Sequence, residues 1–301
     1  MRISPVKNFI NFTSTERTKY FDEQQNAEYF TEEYDVSALY GHIPGVSIVY
    51  SNSTAFFRND LDFDFHRGGW QWFIRDIEDS FPKDVKVNVY DFACSDGSEP
   101  YSLASIIKEW TKKPERFFPI LASDNDKEIL KVAKGAKLWG DRDDILNIKE
   151  SMGSNSKLYF DIEENKDGNY TIKPKPIIKK DVRFKAQNFL DGLDKVKTSN
   201  SLILCRNFWR YMTQDDIAEA VYKLHKNLDE TSRIVIGSYD SYTSSSIPYF
   251  FRAYGLKPCA DHTNFILKNN PDIAPICELD EITYKKKIKQ TVMDEYPKYG
   301  K

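Results

Sequence analysis

The stretch YDFACSDGSEPYS, residues 90–102, joins a run of strand-forming residues to the start of a helix. Apolar residues recur at the preceding positions, from Val85 to Phe92, which is typical of a buried strand. Pro100 suits the first turn of a helix, where no backbone N–H is needed, and apolar residues follow at helical spacing up to Trp110. The pattern therefore predicts a strand, a tight turn and a helix. In open α/β sheets such a turn lies at the carboxyl ends of the strands, where ligands bind beside the exposed N–H groups of the helix.

The alternation of strands and helices continues along the chain. Further apolar runs have the length of buried parallel strands, and helical patterns lie between them. The strands are predicted at 117–124, 182–190, 201–207, 233–240 and 264–269, and the helices at 69–81, 126–139, 213–228 and 247–254. This alternation predicts a doubly wound α/β domain.

One segment interrupts the alternation. Residues 155–181 contain two short strand-like runs around Asp167 and Gly168, a favoured hairpin pair, and predict an inserted antiparallel ribbon. We expect a short, partly helical N-terminal extension at 1–50, a main domain at 51–275 that carries this ribbon, and a charged C-terminal tail at 276–301.

Composition limits the possible functions. The 301 residues are 40% hydrophobic, enough for a sizeable core, and the net charge of -3 argues against a general nucleic-acid binder. Neither a signal peptide nor a run of about 18 apolar residues is visible, so we expect a cytoplasmic protein without membrane insertion. Four cysteines and four histidines are scattered without CxxC or HExxH spacing, so we expect neither a disulfide framework nor a metal site.

The turn after the first strand indicates the chemistry of its ligand. Dinucleotide-binding folds need G-x-G-x-x-G at this place and P-loops need a Gly-Lys pair, whereas ACSDGSEP has one glycine and no lysine. Asp96 and Glu99 suit a cationic ligand such as S-adenosylmethionine (SAM), with its sulfonium and amino groups, which class I methyltransferases bind here. Asp124, at the end of the second strand, is placed to accept hydrogen bonds from ribose hydroxyls. Simpler explanations remain open, since Glu99 also complements a helix N-terminus and Asp124 also suits a helix cap.

Five segments together resemble the chemotaxis receptor methyltransferase family, the CheR type. They occur in that family's order and approximate spacing: NSTAFFR at 52–58, ACSDGSEPYSLA at 93–104, LASDNDKEIL at 121–130, QNFL at 187–190 and ILCRNFWRY at 203–211. The resemblance implies a Rossmann-like class I methyltransferase sheet. It also implies a SAM-dependent enzyme that esterifies glutamate side chains of a chemoreceptor or similar signalling protein, with S-adenosylhomocysteine (SAH) as the product.

The same resemblance implies roles for single residues. Arg58 and Tyr211 would be catalytic, with Arg58 gripping the incoming carboxylate and the Tyr211 hydroxyl positioning it. A surface ion pair is the simpler explanation of Arg58. The residues implied to line the cofactor are Asn52, Thr54 and Arg58 near the reaction centre, Ala93 and Gly97 in the turn, Glu99 at the methionine end, Asp124 at the ribose, Asn188 and Phe189 near the adenine, and Arg206 and Asn207 on the methyl side.

Departures from the family pattern concern the substrate more than the reaction. Family members carry a basic helical domain that docks on the receptor, but the fifty residues before NSTAFFR hold four Lys or Arg against seven Asp or Glu. Ser98 replaces the first of the family's paired acids. The alternatives are a SAM-dependent enzyme of the same fold with a small-molecule or other protein acceptor, and a non-catalytic SAM-binding sensor. An NAD-dependent oxidoreductase is opposed by the missing glycines.

Overall fold

The computed structural model describes residues 54–58, 69–212, 214–237, 251, 256–260 and 263–269. The predictions that fall on other residues are the extension at 1–50, the tail at 276–301, Asn52, all but Phe251 of the helix at 247–254, and the end of the strand at 233–240, from residue 238 on. The domain boundaries stay predictions for the same reason.

Helices and strands alternate through most of the described residues. The helices are α1 (Gly69–Ser80), α2 (Ser98–Trp110), α3 (Lys127–Gly135), α4 (Arg142–Met152), α5 (Ser156–Tyr159), α6 (Pro176–Lys179), α7 (Phe189–Leu193) and α8 (Gln214–Asn227). The strands are β1 (Asn88–Phe92), β2 (Ile120–Asp124), β3 (Leu138–Gly140), β4 (Phe160–Glu164), β5 (Tyr170–Pro174), β6 (Val182–Ala186), β7 (Ser201–Leu204), β8 (Arg233–Val235), β9 (Leu256–Ala260) and β10 (Thr263–Asn269).

Seven of these strands form the main sheet, in the order β6-β2-β1-β7-β8-β10-β9. The first five strands in this order, β6, β2, β1, β7 and β8, pair in parallel, and β10 pairs antiparallel with both β8 and β9. The first strand in sequence, β1, therefore lies inside the sheet between β2 and β7. This architecture confirms the predicted Rossmann-like α/β fold of class I methyltransferases.

The inserted ribbon is also present, and it has one strand more than predicted. β4 and β5 form the predicted hairpin, with Gly168 at a φ of 81° in its turn. β3 pairs antiparallel with β5 on the other side, although the sequence predicts a helix as far as Trp139. The prediction was wrong there because Ala136 adopts a left-handed conformation (φ 51°) that ends α3.

Two further predictions need correction. The strand predicted at 182–190 ends at Ala186, because Asn188 caps a new helix, α7, with its side chain. β9 was not predicted, and it forms an antiparallel pair with β10 at the edge of the sheet.

The core extends to the segment that precedes α1. Phe56 and Phe57 are fully buried, and each meets the ring of Phe160 edge to face, at 5.4 and 6.3 Å between centroids. Burying two aromatic side chains fixes this short segment against the domain. Among the described helices, none has the length and apolar character needed to cross a bilayer.

Candidate cofactor and active site

The turn between β1 and α2 is tight and needs its single glycine. Ala93 and Ser95 adopt left-handed conformations with φ of 57° and 49°, and Gly97 follows at 93°. A Cβ atom at Gly97 would lie 3.1 Å from both the Ala133 Cβ and the Phe184 ring. Positive φ and close packing together exclude larger residues here. The chain thus brings the start of α2 close to the sheet with one glycine.

Asp96 has a local structural role. Its carboxylate accepts hydrogen bonds from the backbone N–H of Ser98 at 2.9 Å and from the Ser98 hydroxyl at 2.7 Å. These bonds stabilise the entry into α2. Glu99 follows in the first turn of that helix.

Glu99 forms an ion pair with Arg206, which follows β7. The Arg206 Nη1 lies 2.5 Å from the Glu99 Oε2, and their side chains are 0% and 15% exposed. The other terminal nitrogen of Arg206 donates to the carbonyl of Arg58 at 3.3 Å, and its guanidinium lies over the Trp70 ring at 5.2 Å. One arginine thus joins α2, the β7 loop, the segment at 54–58 and α1.

The same segment has three further attachments. The N–H of Phe56 donates to Asp144 of α4 at 2.7 Å, and the N–H of Phe57 donates to the Ser102 hydroxyl of α2 at 3.0 Å. The Trp70 indole donates to the Arg58 carbonyl at 3.3 Å. Residues 54–58, including the half-buried Thr54 and Arg58, are therefore held beside the Glu99–Arg206 pair.

Asp124 ends β2 and fastens the turn after β1. It accepts hydrogen bonds from the N–H of Ser95 at 2.9 Å and from the N–H of Asp126 at 2.8 Å. Burial raises its pKa above the ordinary value, and these backbone bonds partly oppose the shift. The explanation of Asp124 as the cap of α3 is wrong, because Asp126 occupies that position and accepts from Glu128 and Ile129.

The segment after β7 follows a fixed path. Asn207 has a φ of 62°, and a Cβ atom at Gly237 would lie 1.8 Å from its side-chain oxygen, so the two residues are in close contact. The Trp209 indole donates to the Cys205 carbonyl at 2.6 Å. Tyr211 ends a single 3-10 turn and is half-buried. Arg206, Asn207 and Tyr211 therefore follow one another along the carboxyl edge of the sheet.

Asn188 and Phe189 lie at the start of α7. The Asn188 side chain caps that helix by accepting from the N–H of Leu190 at 2.9 Å. Phe189 packs edge to face against Phe92, Phe208 and Trp209. The contacts of both residues are structural ones, and their role near an adenine stays a prediction.

Two buried carboxyls were missed by the sequence reasoning. Asp144 belongs to the capping box of α4, and burial raises its pKa to about 7. Asp91 lies within β1, is 0% exposed, and has no hydrogen-bond partner among the described residues. An Asp-x-x-Asp pattern at the start of α4 and an acidic residue inside an apolar strand are signals that were available in the sequence.

The electrostatics of the site fit SAM. Asp91 interacts electrostatically with Glu99, Asp124 and Arg206. These four residues are three acids and one base, so the set favours a cationic ligand. Carboxylates are also suitable acceptors for an amino group and for ribose hydroxyls. Among the described residues no group of His, Cys, Asp or Glu is arranged to hold a metal ion.

Comparisons with known proteins agree with this reading. The family model of the CheR methyltransferase SAM-binding domain matches residues 52–251. A chemotaxis protein methyltransferase of Listeria innocua is 30% identical over 192 residues, which cover 64% of this chain and 66% of that protein. One of Borreliella burgdorferi is 26% identical over 191 residues, covering 62% of this chain and 63% of the relative.

Among solved structures, a TehB-like SAM-dependent methyltransferase of Corynebacterium glutamicum shares 12% identity at a TM-score of 0.36, over 85% of this chain and 97% of that one. The chain spans about two thirds, 63% and 66%, of the length of the two curated relatives. The match over residues 52–251 contains the turn, the 54–58 segment and the strand ends that build the site. The chain belongs to the family of CheR methyltransferase SAM-binding domains, and SAM is its cofactor.

Proposed function

We propose that the protein transfers the methyl group of SAM to a glutamate side-chain carboxylate of a protein, a chemoreceptor or a similar signalling protein. The observation that carries this proposal is the junction made by Arg206, which joins Glu99 of the cofactor turn to the backbone of Arg58. Chemotaxis protein methyltransferases among the relatives support the proposed acceptor. We place the reaction in the cytoplasm, a reducing compartment in which the buried thiols of Cys94 and Cys205 would stay reduced.

The residues present suit both ends of the cofactor. Glu99 would bind the amino group and Asp124 the ribose. The bound cofactor supplies an activated methyl group on its sulfonium sulfur. Arg206 keeps Glu99 oriented, so the position of the amino group is set before binding.

The acceptor needs little chemical activation. A glutamate side chain has an ordinary pKa near 4.3 and is ionised at neutral pH, so attack requires no general base. Arg58 would hold the carboxylate by a charge-assisted hydrogen bond, and the Tyr211 hydroxyl would orient it. The buried rings of Phe57 and Trp70 behind Arg58 help to exclude water. Alignment of the reacting groups in a dry site is then the main source of rate.

The nature of the product tests the proposal. The purified protein is incubated with methyl-labelled SAM and membranes that contain chemoreceptors, and the labelled proteins are then exposed to mild alkali. A carboxyl methyl ester releases its label as volatile methanol, which is the result we expect. Label that is incorporated but stable to alkali would show a different acceptor atom. SAM binding without any incorporation would indicate a sensor in place of an enzyme.

A further inference from the structure

Asp91 occupies an unusual place in the sheet. It pairs with Ala122 of β2 and with Leu204 of β7. The next residues outward in the same row are Phe184 and Val235. Paired residues of parallel strands project to the same face, so one carboxyl stands in a row of apolar side chains. Its full burial makes an ionised state costly.

The face that carries Asp91 is the face of the cofactor site. Phe184, in the same row, packs against Tyr101 of α2 at 5.5 Å, so α2 covers this side. Asp124 lies two residues beyond Ala122, toward the carboxyl end of β2, and therefore shares its face. Arg206 lies two residues beyond Leu204. Asp91 is thus one row below the residues of the site.

Charged and titratable groups from four segments of the site interact with Asp91. They are Glu99 of α2, Asp124 of β2 and Arg206 after β7, together with the thiol of Cys94 in the turn. Burial raises the pKa of Asp91 well above its ordinary range, Glu99 and Asp124 raise it further, and Arg206 partly opposes the shift. While no cation is bound, the effects of burial, Glu99 and Asp124 on Asp91 therefore outweigh the effect of the positive charge of Arg206.

Asp91 differs from Glu99 and Asp124 in its hydrogen bonding. Asp124 accepts two backbone N–H groups, and Glu99 is paired with Arg206. Neither oxygen of Asp91 has a hydrogen-bond partner among the described residues. Hydrogen bonds stabilise a carboxylate, so Asp91 is the member of the set that carries a proton most easily.

We propose that Asp91 is a third, proton-carrying carboxyl of the SAM site, which is protonated in the empty site and ionises when the SAM cation binds. The inference rests on the binding of SAM within the proposed function. The O–H bond of Asp91 breaks on binding, its proton passes to the solvent buffer, and the carboxylate left behind balances the sulfonium. When methyl transfer turns the sulfonium into the neutral thioether of SAH, the carboxyl takes a proton back.

This role would make Asp91 a specificity-determining residue. SAM and SAH share the amino, carboxylate and nucleoside groups and differ by the methyl group and the positive charge on sulfur. An ionised Asp91 favours only the charged form, so it would raise the ratio of SAM affinity to SAH affinity. Because binding releases a proton, the affinity for SAM should rise as the pH rises, while the affinity for SAH should change much less.

Calorimetric titration in buffers of different ionisation enthalpy tests the inference directly. At about pH 6.5 the α-amino groups of both ligands, with an ordinary pKa near 8, are protonated and add little. For the wild-type protein we expect SAM to release up to about one proton and SAH to release clearly less. SAM that binds without releasing a proton would overturn the inference and leave the proposed function standing. A protein that binds neither ligand would overturn both.

Two matched variants identify the proton donor. Asp91→Asn copies the shape of the neutral acid, so the variant should fold and should bind SAM without releasing a proton. The ratio of its SAM affinity to its SAH affinity should fall by about tenfold, which is the free-energy equivalent of a shift of one pKa unit. Asp144→Asn removes another buried acid with a raised pKa, one that lies outside the proposed set, and should keep the proton release. If Asp144→Asn abolishes the release and Asp91→Asn does not, the donor is Asp144 and the inference is wrong. Thermal unfolding of both variants checks their folding.

Discussion

At the scale of single residues, Arg206 is where the parts of the site meet. Its planar guanidinium pairs with Glu99, donates to the Arg58 carbonyl and lies over Trp70. A lysine has one compact ammonium group and cannot combine two hydrogen bonds in different directions with a flat contact over an indole ring. The demand for an arginine here therefore follows from geometry as well as from charge.

The single glycine of the cofactor turn carries a prediction about stability. Gly97→Ala should lower the free energy of unfolding by about 3 kcal/mol, because two costs add together. Alanine is strained at this positive φ, and its Cβ atom would crowd Ala133 and Phe184. Gly168→Ala is the matched control. It has a similar φ of 81° but nothing within 4 Å of the added Cβ, so it should cost about 1 kcal/mol. Chemical denaturation measures both variants, and equal losses would show that packing at Gly97 contributes nothing.

Arg58 carries a prediction about catalysis. Arg58→Ala should reduce turnover by about a hundredfold or more while it changes SAM affinity much less, because its proposed partner is the carboxylate in the transition state. The backbone carbonyl that Arg206 and Trp70 hold is unchanged in this variant. Arg183→Ala, at an exposed position of β6, is the control for loss of a positive charge. A loss of SAM affinity as large as the loss of turnover would move Arg58 from the acceptor to the cofactor.

At the scale of elements, the site depends on how α4 holds the segment at 54–58. The N-terminus of α4 has a capping box in which Asp141 and Asp144 each accept a backbone N–H. Asp144 uses its other oxygen to accept from Phe56. A helix cap thus also fastens the segment that carries Arg58.

This arrangement predicts a pH dependence of stability. The pKa of Asp144 is about 7 in the folded protein and has an ordinary value of 3.8, so the folded state binds a proton more readily than the unfolded state. The stabilisation is complete below pH 3.8 and is lost as the pH rises through 7. We expect the contribution of this group to the free energy of unfolding to fall by about 2 kcal/mol as the pH rises from 5.5 to 8.

Asp144→Asn isolates that contribution. Asparagine does not titrate but keeps an oxygen that can accept from Phe56. Unfolding curves at several pH values should therefore show a smaller decline for the variant than for the wild type. Parallel declines in the two proteins would mean that the carboxyl of Asp144 does not titrate in this range.

The elements also show how far the sequence could predict the site. Glu99 and Asp124 were expected together because they lie at the carboxyl ends of two parallel strands, and such ends meet at one edge. Arg206 was expected there only from the resemblance to the CheR type. The extra ribbon strand β3 was missed because Ala136 ends α3 in a left-handed conformation that alanine rarely adopts. Asp144 was missed because its contact with Phe56 spans 88 residues of sequence. Local patterns predict positions along strands and helices, but they do not show which distant backbone group a side chain will bind.

At the scale of the whole molecule, the site lies where elements from distant parts of the sequence meet. The 54–58 segment, α2, the end of β2 and the loop after β7 all contribute to it. Few of these contacts lie within one element, so the unfolded chain cannot retain the site. A ligand that binds there should stabilise the fold as a whole.

Ligand-induced stabilisation therefore gives a prediction for the entire domain. SAH at about a hundredfold excess over its dissociation constant should stabilise the wild type by about 2.7 kcal/mol and raise its melting temperature by several degrees. Asp124→Asn should reduce this shift at the same SAH concentration, because the amide is a weaker acceptor for the ribose hydroxyls. Asp161→Asn is the control, since Asp161 lies on the ribbon in an exposed pair with Lys175 and should leave the shift unchanged. The size of the shift is the measurement, because Asp124 also binds two backbone N–H groups and its variant should melt earlier without ligand. A full shift in Asp124→Asn, or an equal reduction in Asp161→Asn, would place the cofactor away from the carboxyl edge of the sheet.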